Sequence, residues 1–391
     1  MIEEKSEALK KHYEWNGKIE VISRAPVTSR EDLALAYTPG VADACMAIAE
    51  NSEEAYRLTR KNNLVGVVTN GTAVLGLGNI GPQAAMPVME GKSILFKEFA
   101  DVDAFPISIE STDVDEVVQT VQQIAGSFGA INLEDIAAPE CFEIERQLIE
   151  TLDIPVFHDD QHGTAIVVGA ALINALRLLK NKKIEEAKII INGAGAAGIA
   201  IAKHLMILGA KNILLVDREG IIHSDYPSLN SEQKRMLEVT NLKDEQGSLQ
   251  DALVDADIFV GVSAPNILTA DDIKKMNENP IVFAMANPIP EIMPDVAKKA
   301  GVAVMGTGRS DFPNQINNVS AFPGIFKGAL EANATQIDES MRLAASYAIA
   351  NLVKDEELTE EYIIPDPLDK RVVPAVAKAV KQAAIESGVV R

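Results

Sequence analysis

The segment Lys188–Ala210, KIIINGAGAAGIAIAKHLMILGA, leaves few folds open to the chain. An apolar run too short for a helix breaks at three glycines in GxGxxG spacing and resumes with helical period, so a buried strand must turn abruptly into a helix. Gly193 permits the tight turn, Gly195 lets backbone approach a pyrophosphate, and Gly198 lets the helix pack on the strand. The helix N-terminus between them, at Ala194, Ala196 and Ala197, attracts phosphates through its free amides. The next strand ends in Asp217, where a carboxylate can accept hydrogen bonds from the adenosine ribose of a dinucleotide. Asp217 repels a ribose 2′-phosphate and so favours NAD; Arg218 beside it could pair with that phosphate, which keeps NADP possible. The structural alternative is that the glycines serve helix packing and Asp217 caps a turn.

The same strand and helix alternation runs along the chain. Lys188–Ile191, Ile213–Asp217, Ile258–Val262, Ile281–Met285 and Val302–Met305 predict a doubly wound sheet. Earlier, Ser93–Phe96, Phe105–Ile109, Ala130–Leu133 and Pro155–Phe157 read as strands, with helices over Val114–Phe128 and Cys141–Leu152. From Val319 onward three helical patterns follow, punctuated by Pro365, Pro367 and Pro374. The predicted fold is α/β: an N-terminal catalytic and metal domain over residues 1–160, with a helical start, then a Rossmann-type NAD-binding domain over 161–391. The helical C-terminal tail is expected to pack back on the first half.

Charge narrows the partners. With 36 Lys plus Arg against 57 Asp plus Glu, the net charge of -21 disfavours nucleic acid and anionic membranes. It also repels a dicarboxylate, so an anionic substrate must be captured locally by a metal, a lysine or backbone amides. Cys45 and Cys141 are too few for a disulfide framework and are expected as buried thiols. The start lacks the apolar core of a signal peptide and no run suits a membrane span, so a cytoplasmic location is expected.

Two further strand ends are acidic. Gly129–Asp135 ends in Glu134 and Asp135, and Ile154–Asp160 ends in Asp159 and Asp160, with one helix between them. A βαβ unit brings both carboxyl ends to one edge of the sheet, so Glu134, Asp135 and Asp160 can converge. A divalent cation relieves their repulsion, and an all-oxygen set points to magnesium or manganese with positions open for substrate and water. His158 and His162, four apart, offer zinc as the rival. An aspartate capping a helix that starts near Gln161 is the bland reading, and is compatible with ligation.

Asn132–Ile136 and Phe157–Ala165 resemble the metal-binding motifs of malic enzymes. Ala36–Val41, Asn70–Gly81, Met86–Lys92 and Gly306–Gln315 are similar to motifs of the small bacterial type, so the resemblance spans nearly the whole chain. It implies Tyr37 as general acid, Lys92 as general base in contact with substrate, and Glu134, Asp135 and Asp160 as metal ligands. It also implies that Asn287 faces cofactor and substrate, that Asn318 faces substrate, and that the chain forms a homodimer. One departure is Ala73, where the longer malic enzymes of animals and plants carry an arginine for the substrate carboxylate. Loop amides near Asn70–Thr72, or Asn318, are then expected to hold that group.

The implied reaction is oxidative decarboxylation of malate to pyruvate and carbon dioxide. Oxidation must come first, because carbon dioxide leaves only from beside a ketone. Lys92 then needs a pKa depressed by burial or by the metal to act as a base; Lys97, flanked by aromatics, is its rival. An oxaloacetate decarboxylase would need the carboxylates without the hydride step. A dinucleotide-sensing binding protein would need the glycine loop without the carboxylates.

Overall fold

The middle of the first sheet is a strand that the apolar pattern does not single out. The computed structural model describes residues 6–74 and 76–391; Met1–Lys5 of the chain start and Leu75 of the Asn70–Gly81 motif lie outside the described residues. Helices α1 (Glu7–Trp15), α2 (Arg30–Ala36), α3 (Val41–Glu50) and α4 (Ala55–Leu58) come first and bury no residue. Strand β1 (Leu64–Thr69) then enters the core through Val65, Val67 and Val68. Gly66 interrupts its apolar alternation, and the bare backbone there admits the Phe128 and Ile131 side chains. With β2 (Asp103–Ser108), β3 (Ala130–Leu133) and β4 (Val156–His158) it forms a parallel sheet in the order β2-β1-β3-β4.

Helices α5 (Pro82–Ala100), α6 (Val114–Ile124) and α7 (Glu140–Thr151) connect these strands. The expected strand Ser93–Phe96 is instead the interior of α5. Ala85, Met89, Lys92, Ser93, Phe96 and Ala100 are its buried residues, and their three- and four-residue spacing is that of one helical face. Pro87 and Gly91 break the pattern on paper, yet the helix continues through both.

Helix α8 (Asp159–Leu178) leads into the second sheet, whose strands are β5 (Lys188–Asn192), β6 (Asn212–Asp217), β7 (Gly220–Ile221), β8 (Ile258–Gly261), β9 (Ile281–Ala284) and β10 (Val304–Thr307). Among them run α9 (Ala196–Ile207), α10 (Ser231–Leu237), α11 (Leu249–Ala252), α12 (Ala270–Ile273) and α13 (Pro294–Ala300). The order β10-β9-β8-β5-β6-β7 is the doubly wound order, with β7 antiparallel at one edge. Ile189, Ile191 and Leu215 face one apolar cluster while Ile190, Leu214 and Phe259 face another, so helices cover both sides and the strands are continuously apolar.

The tail is α14 (Phe322–Glu331), α15 (Glu339–Ala350) and α16 (Val372–Ser387). It packs back on the first half, as expected. Phe96 of α5 meets Phe322 and Phe326 edge to face at 4.8 and 5.1 Å, and Lys327 donates to the Ala100 carbonyl. Gly324 lets α16 approach closely, since a Cβ there would lie 2.6 Å from that of Val376. Cys141 is buried, but Cys45, on a helix that buries nothing, is exposed.

Candidate active site

Strand register fixes the acidic edge. Leu133 lies opposite His158, so Glu134–Asp135 and Asp159–Asp160 leave neighbouring strands at the same level. The Glu134 amide donates to Val68 O, and the Asp135 amide donates to Asp160 Oδ2 at 2.8 Å. Asp135 has a φ of +53°, a left-handed conformation costly for any residue but glycine, asparagine or aspartate. Carboxylate oxygens of Glu134, Asp135 and Asp160 lie within 4.8 Å of one another. Asp135 Oδ2 is buried and has no hydrogen-bond partner among the described residues.

Lys92 reaches this edge from α5. Its Nζ is 2.6 Å from Asp159 Oδ2 and 2.8 Å from Glu134 Oε1, above the Phe322 ring. Burial disfavours its ammonium, but Asp159 and Glu134 outweigh burial and hold it charged, above the usual lysine range. The depressed pKa expected for Lys92 is therefore absent from the protein alone. One ammonium cannot neutralise four acids: burial and mutual repulsion push Glu134, Asp135, Asp159 and Asp160 up. Surplus buried oxygens with an unpartnered lone pair suit a hard divalent cation. His158 and His162, weighed for zinc, stand outside the cluster.

The glycine loop follows β5, where strand order reverses. Gly193 takes a φ of +111°, and Gly198 has no room for a Cβ against the Gly193 carbonyl. A cavity of about 970 Å³ opens there, lined by Gly193–Gly195, Asp217, Arg218, Gln233 and Ser263. Ala196 packs on the apolar cluster of the first sheet that holds Leu133 and Ile136, so the loop and the acidic edge share one wall.

Models of the malic enzyme N-terminal domain and the malic enzyme NAD binding domain match residues 16–149 and 161–385. The chain belongs to the malic enzyme family. It is 55% identical over 388 residues to the bifunctional malic/malolactic enzyme of Bacillus subtilis (strain 168), covering 99% of this chain and 94% of that one. Identity to the NAD-dependent malic enzyme of Geobacillus stearothermophilus is 57% over 375 residues, 96% of this chain and 78% of the relative. The crystal structure of malic enzyme from Pyrococcus horikoshii Ot3 superposes with a TM-score of 0.94 at 47% identity, covering 98% and 92% of the two chains.

The remaining expected residues of this malic enzyme chain sit around that wall. Asn318, in a short turn before α14, donates to Asp159 Oδ2 at 2.6 Å and so reaches the acidic edge. Asn287 follows β9 and its side chain donates to Met285 O, with no bond to the carboxylates. Tyr37 ends α2, is 67% exposed, and among the described residues its hydroxyl has no hydrogen-bond partner. Lys97 pairs with Asp101 and Asp103 on the surface, away from the cluster. The amides of Gly71 and Thr72, candidates for the substrate carboxylate, donate to Thr69 Oγ1 and Asn70 Oδ1.

Three buried acids escape sequence reasoning in their supporting roles. Asp159, expected as an acid at a strand end or a helix cap and not as a partner of Lys92, is fully buried; Gly163 leaves the space its Oδ1 occupies, and it holds both Lys92 and Asn318. Glu145 accepts from the His158 amide at 2.8 Å and from His162 at 3.0 Å, pinning the turn before Asp159. Despite burial, His162 and His158 hold its carboxyl at about 2. Its signal is legible: it shares the face of α7 that carries Cys141, Ile144 and Leu148. Glu291 accepts from the amides of Ser263 and Ala286, joining the loops after β8 and β9, and no local pattern marks it.

Proposed function

We propose that this chain oxidatively decarboxylates malate to pyruvate and carbon dioxide, with NAD as hydride acceptor and magnesium or manganese held by Glu134, Asp135 and Asp160. What carries the reading is the buried excess of acid around Lys92 at the wall shared with the glycine loop. A bound cation supplies Lewis-acid polarisation and a bound nicotinamide supplies the hydride acceptor.

The protein's own groups do the rest. Lys92 takes the C2 hydroxyl proton as C2 gives up its hydride; positive charge added at Glu134 and Asp160 would weaken the hold that keeps Lys92 protonated. Asp159 aims Lys92 and Asn318 at the same point. After carbon dioxide leaves, Tyr37 protonates C3. Asn318 and Asn287 contact the substrate, Asn287 also the cofactor, and Asp217 with Gly193–Gly198 binds the dinucleotide. Asp217 at the ribose end favours NAD, while exposed Arg218 keeps NADP usable.

A catalytic unit over 1–160 and a nucleotide unit over 161–391 accord with this division of labour. The N-terminal helices leave Leu9, Trp15, Leu35 and Met46 exposed, which supports a homodimer through that face, with Tyr37 brought into play when a second copy covers it. No described helix is long and apolar enough to cross a membrane, in keeping with a cytoplasmic enzyme.

Initial rates with malate, comparing NAD with NADP and manganese with a chelator, test the reading. Equal amounts of pyruvate and reduced nucleotide, formed only with manganese and faster with NAD, are expected. Reduced nucleotide without pyruvate, or pyruvate from oxaloacetate alone, would contradict it.

A further inference from the structure

A second cavity, of about 400 Å³, opens among α7, α8, α9, α10 and α15. It is at the small end of the range for small-molecule sites. Gln161 and His162 line it, so it shares the β4–α8 turn with the carboxylate cluster, yet none of the expected site residues lies in its wall. Most charges around it are already matched. Arg146 pairs with Glu150, Lys203 and Arg235 share Glu232, and Glu145 is committed to His158, Gln161 and His162.

Arg342 is different. Its guanidinium lies 3.2 Å from His162 Nδ1 and forms no ion pair with a carboxylate among the described residues, although Asp338 is close enough to feel its charge. Eight of the twelve arginines pair with acids. Of the other three without such a partner among the described residues, Arg24 and Arg30 lie in the exposed N-terminal segment and Arg218 at the nucleotide cavity. In a chain whose acids outnumber its bases 57 to 36, Arg342 does not go unpaired for want of carboxylates.

The cavity also says what kind of anion fits. Phe142, Ile149 and Ile207 give it apolar wall, which a bare inorganic oxyanion would leave uncovered. Glu339, which forms no ion pair among the described residues, stands in its wall and disfavours a second negative charge. A planar guanidinium fork matches a carboxylate in bidentate geometry. We propose that this cavity binds a small organic monocarboxylate, its carboxylate on Arg342 and its apolar body against Phe142 and Ile207.

Calorimetric titration of the full chain with hexanoate, and separately with inorganic phosphate, tests this. One hexanoate should bind per chain, with phosphate at least about tenfold weaker. Arg342→Gln removes the charge, and Ile207→Trp fills the cavity from its partly exposed rim without touching Arg342 or the carboxylate cluster. Each should weaken hexanoate by about tenfold or more. Should Arg342→Gln fail to fold, Ile207→Trp decides alone. Absent hexanoate binding in the native chain, phosphate binding as tight as hexanoate, or undiminished binding in either folded variant overturns the proposal.

Discussion

At Lys92 two opposing effects meet, and the carboxylates win: burial disfavours the ammonium, while Asp159 and Glu134, at 2.6 and 2.8 Å, hold its proton. Truncating such a residue leaves buried charge without a partner, at a cost of about 3–5 kcal/mol. Lys92→Ala is therefore expected to lower metal-free stability by that amount in denaturant unfolding, with manganese restoring most of it. Its turnover with malate should fall by roughly 10²–10⁴-fold while dinucleotide binding persists. Near-normal turnover would remove Lys92 from the reaction. The residues on this edge are legible in sequence because Glu134, Asp135, Asp159 and Asp160 each follow a strand end, where backbone periodicity dictates position. The charge state of Lys92 is not legible, because it depends on distances that only the fold creates. Reading Ser93–Phe96 as a strand also hid that Lys92 stands on the buried face of a helix.

Between elements, His204 links α9 to α15: its Nε2 lies 2.8 Å from Ser346 Oγ, which donates in turn to Ile166 O in α8. Burial, with Arg342 and His162 nearby, lowers its pKa to about 3. An unfolded histidine titrates near 6.5, so between those values the unfolded chain binds a proton that the native chain refuses. Stability then rises with pH, and is lost as pH falls, by about 1.4 kcal/mol per pH unit for this group. His204→Gln, which can still donate to Ser346, should flatten the curve of unfolding free energy between pH ~6.5 and ~3 by that slope; an unchanged slope contradicts the assignment. Elements themselves were readable where one period dominates, as in β5, β6 and α7. Strand β1 was not, because Gly66 sits where the alternation calls for a side chain, and α5 was not, because Pro87 and Gly91 mimic its end.

For the whole molecule, apolar residues left bare on α1–α3 and the net charge of -21 pull in opposite directions. Burial of an apolar patch can outweigh diffuse repulsion that salt screens, so a dimer is the expected outcome. Light scattering should give twice the chain mass, and Leu35→Glu should return a monomer with depressed turnover; a native monomer would refute the assembly. No sequence period exposes this, since packing between copies leaves no mark on local pattern. Strand order places the glycine loop and the acidic edge each at the carboxyl end of its own sheet, and packing of Ala196 on the cluster around Leu133 and Ile136 joins them. That joining has chemical meaning only if Glu134, Asp135 and Asp160 hold a cation, and manganese titration by calorimetry asks this directly. One ion per native chain is predicted, with affinity lost in Asp135→Asn by more than the roughly 10–100-fold typical of a missing supporting contact; equal binding by the two proteins would contradict the account.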